Sequence, residues 1–152
     1  GKTTIEWICE TLKPYIDEKF PTKPEREYTA IGGSSMGGLM SVYGLAARSD
    51  IFSMGICVSP FYEHVFKKLV DISKFKIHKK TKAYISWGRY EFHTKKQLAV
   101  GTEKNMIITR IFSQKGVTVY PHMMVEGAHN EESWEKETLA WLYELGLYKK
   151  HR

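Results

Sequence analysis

The chain has 152 residues, of which 42% are hydrophobic and 26% are charged. This composition excludes a disordered or collagen-like chain, and the length predicts one domain, residues 1–152. The formal net charge is +6. The basic residues are dispersed and form no known nucleic-acid motif, so we expect a solvated basic surface and no nucleic-acid partner. The lysine pairs are Lys67-Lys68, Lys79-Lys80, Lys95-Lys96 and Lys149-Lys150.

The cysteines and the first residues indicate the cellular compartment of the protein. Cys9 and Cys57 are far apart and lack metal-ligand spacing. Cys57 lies in an apolar run, as a small core residue does. The opening Gly1-Lys-Thr-Thr4 lacks the features of a signal peptide, and no apolar run has the length of a membrane-spanning helix. We therefore predict a cytoplasmic protein with no membrane partner.

The hydrophobic pattern predicts helices alternating with strands. Thr3-x-x-Glu6 is a capping box, and apolar residues at helical spacing after it predict a helix over residues 4–19, kinked at Pro14. Strands are expected at 28–31, 54–58, 83–87 and 117–125, and further helices at 39–48, 61–72, 95–114 and 132–145. Such alternation predicts an α/β fold with a mostly parallel sheet.

A glycine-rich turn follows the first predicted strand. Gly33-x-Ser35-x-Gly37 spells G-x-S-x-G between a strand and a helix. In that context the motif predicts a nucleophile elbow, with Ser35 at the tip of a strained turn. Glycines two residues before and two after the serine let strand and helix approach closely. A flexible glycine–serine loop or a simple helix N-cap is the alternative.

Three candidate catalytic residues follow the carboxyl ends of predicted strands. They are Ser35, Glu91 and His129, in the order serine, acid, histidine. Because ligands bind at this edge of an open α/β sheet, we expect a Ser-His-Glu triad there. The alternative acids are Glu126, Glu131 and Asp71, and His93, near the acid loop, is the alternative histidine. The other histidines are expected to be core or surface residues.

Other residues are candidates for binding the substrate. The N–H of Met36, next to the nucleophile, is a predicted oxyanion donor. Ser34 has the wrong spacing for the nucleophile and is expected to line the pocket. Phe61, Tyr62 and Trp87 are candidate lining residues as well, although plain core packing is an equal alternative for these aromatics. The chemistry requires neither a metal nor a cofactor, and none is predicted.

Four segments together resemble one family. They are Ile31-Gly-Gly-Ser-Ser-Met-Gly-Gly-Leu39, Val58-Ser-Pro60, Ser86-Trp-Gly-Arg-Tyr-Glu91 and Glu126-Gly-Ala-His-Asn-Glu-Glu-Ser-Trp134. This set is similar to the esterase D, or "putative esterase", group of α/β-hydrolases, which includes carbohydrate esterases of family 1. The resemblance runs over residues 5–147. It implies a three-layer α/β-hydrolase fold, with Ser35 as nucleophile, Glu91 as acid and His129 as base. Many relatives have Asp at the position of Glu91.

The resemblance also implies that the N-terminal part of the family's fold is missing from this chain. In such enzymes several strands and a second oxyanion donor precede the strand that carries the elbow, whereas only a helix precedes Tyr28 here. We therefore expect a fold truncated on its N-terminal side, with weak activity and self-association through an open sheet edge. The predicted function is serine carboxylic-ester hydrolysis on a small-molecule or carbohydrate-linked ester. An acyltransferase, a peptidase or thioesterase, and a non-catalytic associating fragment are the alternatives.

Overall fold

A computed structural model describes residues 1–148; the predicted surface pair Lys149-Lys150 and His151 lie outside the described residues. Four strands form one sheet in the order β1-β2-β3-β4, and every neighbouring pair is parallel. The predicted α/β fold with a parallel sheet is confirmed. The strands are β1 (Ala30–Ser34), β2 (Met54–Val58), β3 (Lys82–Gly88) and β4 (Thr118–Met124).

The first strand differs from its prediction. It was expected over residues 28–31, but Arg26–Tyr28 forms a 3₁₀ turn and β1 runs from Ala30 to Ser34. The glycines at its centre have low strand propensity, which is why the pattern placed the strand too early. The last residue of β1 pairs with Val58 of β2, so the predicted elbow begins at the carboxyl edge of the sheet.

Helices cover both faces of the sheet. The long helix α5 confirms the prediction over residues 95–114, and its N-cap is Thr94, whose hydroxyl accepts a hydrogen bond from the Gln97 N–H. Within residues 1–148, no helix has both the length and the apolar content needed to cross a membrane. The α-helices are α1 (Lys2–Trp7), α2 (Lys13–Lys19), α3 (Met36–Ala47), α4 (Phe66–Leu69), α5 (Lys95–Gln114), α6 (Glu131–Glu135) and α7 (Thr138–Glu144).

The N-terminal helix corrects one expectation and refines another. No side chain caps α1, which begins at Lys2, so the predicted capping box at Thr3 does not form. Pro14 does fall at a change of helix geometry. A π-helical turn, Ile8–Leu12, separates α1 from α2, and the Lys13 N–H bonds to the Ile8 carbonyl. This wider turn accommodates a residue that has no N–H to donate to the preceding turn.

Two predicted helices are divided. The segment predicted as a helix over 61–72 consists of α4 between two 3₁₀ turns, Glu63–Val65 and Val70–Lys74. The segment predicted over 132–145 consists of α6 and α7. At their junction the buried Glu137 accepts a hydrogen bond from the Tyr84 hydroxyl at 2.9 Å. This inward-facing carboxylate explains why a single amphipathic helix does not continue there.

Alternation along the strands divides the core into two layers. Cys57 and Ile85 point to the face covered by α1, α3 and α5, where the larger cluster includes Val42, Leu45 and Phe112. The opposite face carries a smaller cluster, whose members come from β2, β3, β4, α6, α7 and the C-cap of α7; they are Met54, Val58, Tyr84, Tyr120, Trp134, Trp141 and Leu145. Burial on both faces gives β2 and β3 the continuous apolar runs typical of parallel strands.

Candidate active site

Ser35 occupies a strained turn between β1 and α3. Its backbone angles are φ 56° and ψ −117°, a conformation rarely adopted by a residue with a side chain. The Ser35 N–H bonds to the Val58 carbonyl at 3.0 Å, and the Ser35 carbonyl accepts the Phe61 N–H at 3.1 Å. α3 begins directly afterwards at Met36. N–H groups in the first turn of a helix have no helical acceptor, so the Met36 N–H is suited to bind an anion.

The glycines around Ser35 allow close approach, but not all at the predicted positions. A Cβ on Gly33 would lie 2.8 Å from the backbone of Gly37, and a Cβ on Gly38 would lie 2.4 Å from the Val58 carbonyl oxygen. A Cβ on Gly37 would meet nothing within 4 Å. The G-x-S-x-G motif predicts that Gly33 and Gly37 must lack side chains. In the structure the positions with no room for a side chain are Gly33 and Gly38.

The three candidate catalytic side chains form one hydrogen-bonded chain. His129 Nε2 lies 2.8 Å from Ser35 Oγ, and His129 Nδ1 lies 3.0 Å from Glu91 Oε2. The Glu91 side chain is 7% exposed and the His129 side chain 35% exposed. An ionised carboxylate only accepts hydrogen bonds, so His129 Nδ1 carries the proton and Nε2 faces the serine as an acceptor.

Backbone contacts hold the acid and histidine loops against each other. The Tyr90 N–H donates to the Gly127 carbonyl at 2.8 Å. A Cβ on Gly88 would lie 2.3 Å from the Gly127 oxygen, so any side chain at Gly88 would push the two loops apart. Glu91 ends the 3₁₀ turn that follows β3, and His129 precedes the N-cap of α6, Asn130. The two loops therefore meet at the carboxyl edge of the sheet.

Two residues that the sequence analysis gave no role contact the acid and the histidine. Ser59 Oγ donates to Glu91 Oε1 at 2.7 Å and accepts the Trp134 indole N–H at 2.9 Å. The Trp134 ring packs edge-on to the His129 ring, with centroids 5.1 Å apart. Ser59 was detectable in principle, because it directly follows a predicted strand at the edge that holds Ser35. Trp134 carried no such signal.

The alternative acids and the other histidine near the acid loop lie apart from this chain of hydrogen bonds. Glu126 and Glu131 are exposed, the latter in the first turn of α6. Asp71 pairs with Lys74 at 2.8 Å on the surface. His93 is exposed and lines the neighbouring cavity. Among the acids weighed in the sequence, Glu91 is the one hydrogen-bonded to His129.

A cavity of about 510 Å³ opens beside His129 and Glu91, between the loop after β2 and α5. Three of the four predicted substrate-binding residues, Phe61, Tyr62 and Trp87, line it. The Tyr62 hydroxyl donates to the Asn105 side chain at 3.0 Å, and the Trp87 indole N–H donates to Thr102 Oγ1 at 3.0 Å. These bonds fix both rings as cavity walls.

Ser34, the fourth predicted substrate-binding residue, lies elsewhere. It is partly buried at the end of β1, paired with Val58, and is not among the cavity's lining residues. Another cavity, of about 500 Å³, lies near the amino ends of β2 and β3 beside Arg26, Met54 and Lys82, far from the hydrogen-bonded chain. Residues 1–148 hold no group of three His, Cys, Asp or Glu side chains arranged to bind a metal ion.

Comparison with known proteins defines the class. The family model described as "Putative esterase" matches residues 2–144, which is nearly the whole chain. The protein belongs to this esterase family. The parallel sheet, the serine turn after β1 and the histidine after β4 agree with the α/β-hydrolase fold that the sequence resemblance implied.

Solved structures of similar fold include three esterases or related hydrolases. A ferulic acid esterase is 16% identical, with a TM-score of 0.70, and the match covers 91% of this chain and 59% of that one. S-formylglutathione hydrolase (FrmB) from Staphylococcus aureus is 17% identical, with a TM-score of 0.67 and coverage of 93% and 63%. The enterobactin esterase FES from Shigella flexneri is 15% identical, with a TM-score of 0.76 and coverage of 97% and 40%. The chain thus spans less than two thirds of each of these proteins.

Proposed function

We propose that this chain hydrolyses carboxylic esters through an acyl-enzyme, with Ser35 as nucleophile, His129 as general base and acid, and Glu91 as the orienting carboxylate. The observation that carries the proposal is the unbroken chain of hydrogen bonds from Ser35 Oγ through His129 to Glu91. Membership of the esterase family supports the same chemistry. The backbone conformation of Ser35 supports its role as the nucleophile.

In the first half-reaction Ser35 Oγ attacks the ester carbonyl carbon while its proton passes to His129 Nε2. The carbonyl oxygen becomes an oxyanion, which the Met36 N–H and the N-terminal end of α3 stabilise. The imidazolium then gives its proton to the leaving alkoxide as the C–O bond breaks. The products of this half-reaction are the free alcohol and an ester of the acyl group with Ser35.

In the second half-reaction water replaces the alcohol. His129 Nε2 takes a proton from the water as its oxygen attacks the acyl carbon, and the tetrahedral intermediate collapses to the carboxylic acid and free Ser35. Throughout, Glu91 accepts the Nδ1 proton and so fixes the tautomer and the orientation of the ring. These steps use only side chains, backbone N–H groups and water.

The proposed substrate is a small-molecule or carbohydrate-linked ester. The cavity beside His129 is the proposed site for part of the substrate, and its walls are aromatic at Phe61, Tyr62 and Trp87. Phe61 is 41% exposed, whereas Tyr62 and Trp87 are each 4% exposed. Phe61 is therefore positioned to contact a ligand directly, with the other two rings supporting the wall. Among the described residues, Met36 is the one N–H donor that we assign to the oxyanion, and we therefore expect slow turnover, since loss of one such donor can cost about 10²–10³-fold.

The test is turnover of p-nitrophenyl acetate and butyrate, combined with labelling by a fluorophosphonate probe. Wild-type protein should show turnover and a single adduct on Ser35, located by mass spectrometry. Ser35→Ala should abolish both. Ser34→Ala is the matched control, because it removes the adjacent hydroxyl and should retain both.

Three results would overturn the proposal. They are an adduct on Ser34 or Ser59, turnover that survives Ser35→Ala, and a folded wild-type chain with neither burst nor turnover. The last result would favour the alternative of a non-catalytic associating domain. Preferred cleavage of a peptide or a thioester over the p-nitrophenyl esters would move the assignment to a peptidase or thioesterase of the same fold.

A further inference from the structure

Ser59 lies between the acid of the hydrogen-bonded chain and a tryptophan. It is 2% exposed, and its hydroxyl has two partners, the Trp134 indole and Glu91 Oε1. An indole N–H can only donate, so the Ser59 oxygen accepts from Trp134. Its single proton is then free for Glu91. The direction of both bonds is fixed by chemistry, and they polarise each other toward the carboxylate.

The two oxygens of Glu91 are used for different purposes. Oε2 faces His129 Nδ1, while Oε1 accepts the Ser59 hydroxyl and the Gly88 N–H. Charge-assisted bonds of this kind are stronger than neutral ones and have stricter geometry. With Oε1 held at two points, the carboxylate plane cannot rotate without breaking a bond in a largely buried site.

The Ser59 backbone is itself held in an unusual conformation. Its φ is 44°, a left-handed value that residues with side chains rarely adopt. The Ser59 N–H donates to the Ser86 carbonyl of β3 at 2.9 Å. Such conformations persist only where the surroundings enforce them, and they are concentrated at functional sites. In this conformation the Ser59 hydroxyl reaches the acid loop at Glu91.

Trp134 contacts both members of the acid–base pair, one of them through Ser59. Its N–H reaches Ser59, and its ring meets His129 edge-on. The helix that carries it, α6, starts at the N-cap Asn130, whose side chain accepts the Ser133 N–H at 3.0 Å. The Ala128 N–H donates to the Ser133 hydroxyl at 2.9 Å. The histidine loop and Trp134 are therefore joined in one local unit.

We infer that Ser59 and Trp134 are a positioning pair that fixes the rotamer of Glu91 and, through it, the imidazole of His129. The inference rests on the proposed ester hydrolysis and extends it to two residues outside the triad. Neither residue touches the reacting atoms, so their role is positioning rather than catalytic. Their effect is on the geometry of proton transfer, and neither residue lines the substrate cavity.

The first experiment measures kcat and KM for p-nitrophenyl butyrate in Ser59→Ala and Trp134→Phe. Ser59→Ala removes both bonds and should lower kcat about 10- to 100-fold, the range expected for losing a hydrogen bond to a charged group. Trp134→Phe keeps the ring against His129 and removes only the N–H, so its loss should be smaller. KM should stay within about twofold in both, since neither residue lines the cavity.

Matched controls separate positioning from general damage. Trp141→Phe makes the same change at a tryptophan of the same core cluster and should leave kcat unchanged. Ser59→Gly guards against misfolding, because glycine adopts φ 44° freely and still lacks the hydroxyl. In a Glu91→Ala background, Ser59→Ala should lower kcat no further, because the partner through which it acts is gone. An equal loss in both backgrounds would overturn the inference.

A second readout does not depend on turnover. The proton between His129 Nδ1 and Glu91 should give a downfield ¹H NMR signal in the wild-type protein. It should be lost or broadened in Ser59→Ala and Ser59→Gly, and kept in Trp141→Phe. An unchanged signal in the Ser59 variants overturns the positioning pair even if the protein is an esterase. A wild-type chain that lacks esterase activity but shows the expected pattern of signals overturns only the proposed function.

Discussion

Two members of the hydrogen-bonded chain, Ser35 and His129, follow the two edge strands of the described sheet, and they are held in different ways. Ser35 follows β1 and is fixed by backbone: its φ, its N–H bond to Val58 and the close packing at Gly38. His129 follows β4, and its ring is oriented by two side chains, Glu91 and Trp134, while contact between the Gly88 and Gly127 backbones holds its loop. The position of Ser35 should therefore be sensitive to added Cβ atoms, and the orientation of the His129 ring to lost polar atoms.

The two edges also differ in how they meet solvent. β4 contains Pro121, which lacks an N–H and is typical of an edge strand. β1 has the sequence Ala-Ile-Gly-Gly-Ser, with neither proline nor charge. Among the described residues, β1 pairs only with β2. Of the two edges, β1 lacks the features that natural sheets use to prevent pairing with another chain.

The largest expected effect on activity comes from Glu91, one of the side chains that orient His129. Glu91→Gln keeps the shape of the side chain but replaces an oxygen that only accepts with an amide that also donates, so His129 loses its enforced tautomer. By analogy with other triads, kcat should fall by up to about 10⁴-fold. The measurement is steady-state kinetics with thermal unfolding as a fold check. Glu126→Gln, an exposed acid in the histidine loop, is the control, and a larger loss there would show that Glu91 is the wrong carboxylate.

The second prediction concerns Ser35, which backbone contacts hold in place. In Gly38→Ala the new Cβ would lie 2.4 Å from the Val58 carbonyl oxygen, so β2 and α3 must separate and carry Ser35 out of line. A displacement of about 1 Å can cost on the order of 10²-fold in rate. The rate of fluorophosphonate labelling measures this loss directly.

Gly37→Ala is the matched variant for that prediction. Its Cβ would enter open space in the described structure, so labelling should stay within about threefold of wild type by the same reasoning. Equal losses in Gly37→Ala and Gly38→Ala would mean that the motif spacing, rather than the contact with β2, sets the requirement at the elbow.

Much of this fold could be predicted from the sequence because its signals are local. β2, β3 and α5 were placed almost to the residue, since continuous apolar runs and a long amphipathic period need no tertiary context. The errors arose where a tertiary contact overrode the local pattern. Glu137 turns inward to Tyr84 and divides the last helix, and Gly32 and Gly33 lie inside β1 despite their low strand propensity.

In the candidate site, too, the residues with local sequence signals were predicted and those that depend on tertiary contacts were missed. Ser35, Glu91 and His129 were found because each follows a strand and their order matches a known chemistry. The contacts of Ser59 and Trp134 were missed because no known motif pairs these two residues, which are 75 residues apart. Ser35 and His129 are 94 residues apart, but they belong to a known order of catalytic residues. The need for glycine at position 38 was also missed. It depends on how closely β2 approaches α3, and the motif alone does not predict that distance.

The third prediction concerns the buried carboxyl group of Glu137, between α6 and α7, and its effect on stability. Glu137 is 2% exposed, and burial raises the pKa of its carboxyl group above the ordinary value. The folded state then holds a proton that the unfolded chain releases at lower pH. Stability should therefore fall as pH rises from the ordinary value to the raised one, by at most about 1.4 kcal/mol per pH unit.

Glu137→Gln removes that ionisation while keeping a carbonyl oxygen for the Tyr84 hydroxyl. Urea unfolding at a series of pH values, from the ordinary carboxyl pKa upward, should show a decline in the wild type that the variant lacks. Glu135→Gln, an exposed neighbour, should keep the wild-type slope. Identical slopes in wild type and Glu137→Gln would show that the buried carboxylate does not control stability in this range.

The last and smallest effect concerns the unprotected edge. We expect the 152-residue chain to self-associate through β1, because unpaired N–H and C=O groups along an edge strand favour a second strand. Ala30 is exposed at the start of β1. Ala30→Lys places like charges near each other when two copies pair there, and such pairs cost about 0.2–1 kcal/mol. The association constant should therefore fall by a factor between about 1.4 and about 5.

The comparison between the two edges supplies the control. Thr118 is exposed at the start of β4, and Thr118→Lys adds the same charge to the edge that Pro121 already protects. Light scattering over a concentration series should show weaker association in Ala30→Lys and no change in Thr118→Lys. A strictly monomeric wild-type chain would contradict the prediction for β1. Equal weakening in both variants would mean that net charge governs association, since the +6 chain repels itself more strongly with any added lysine.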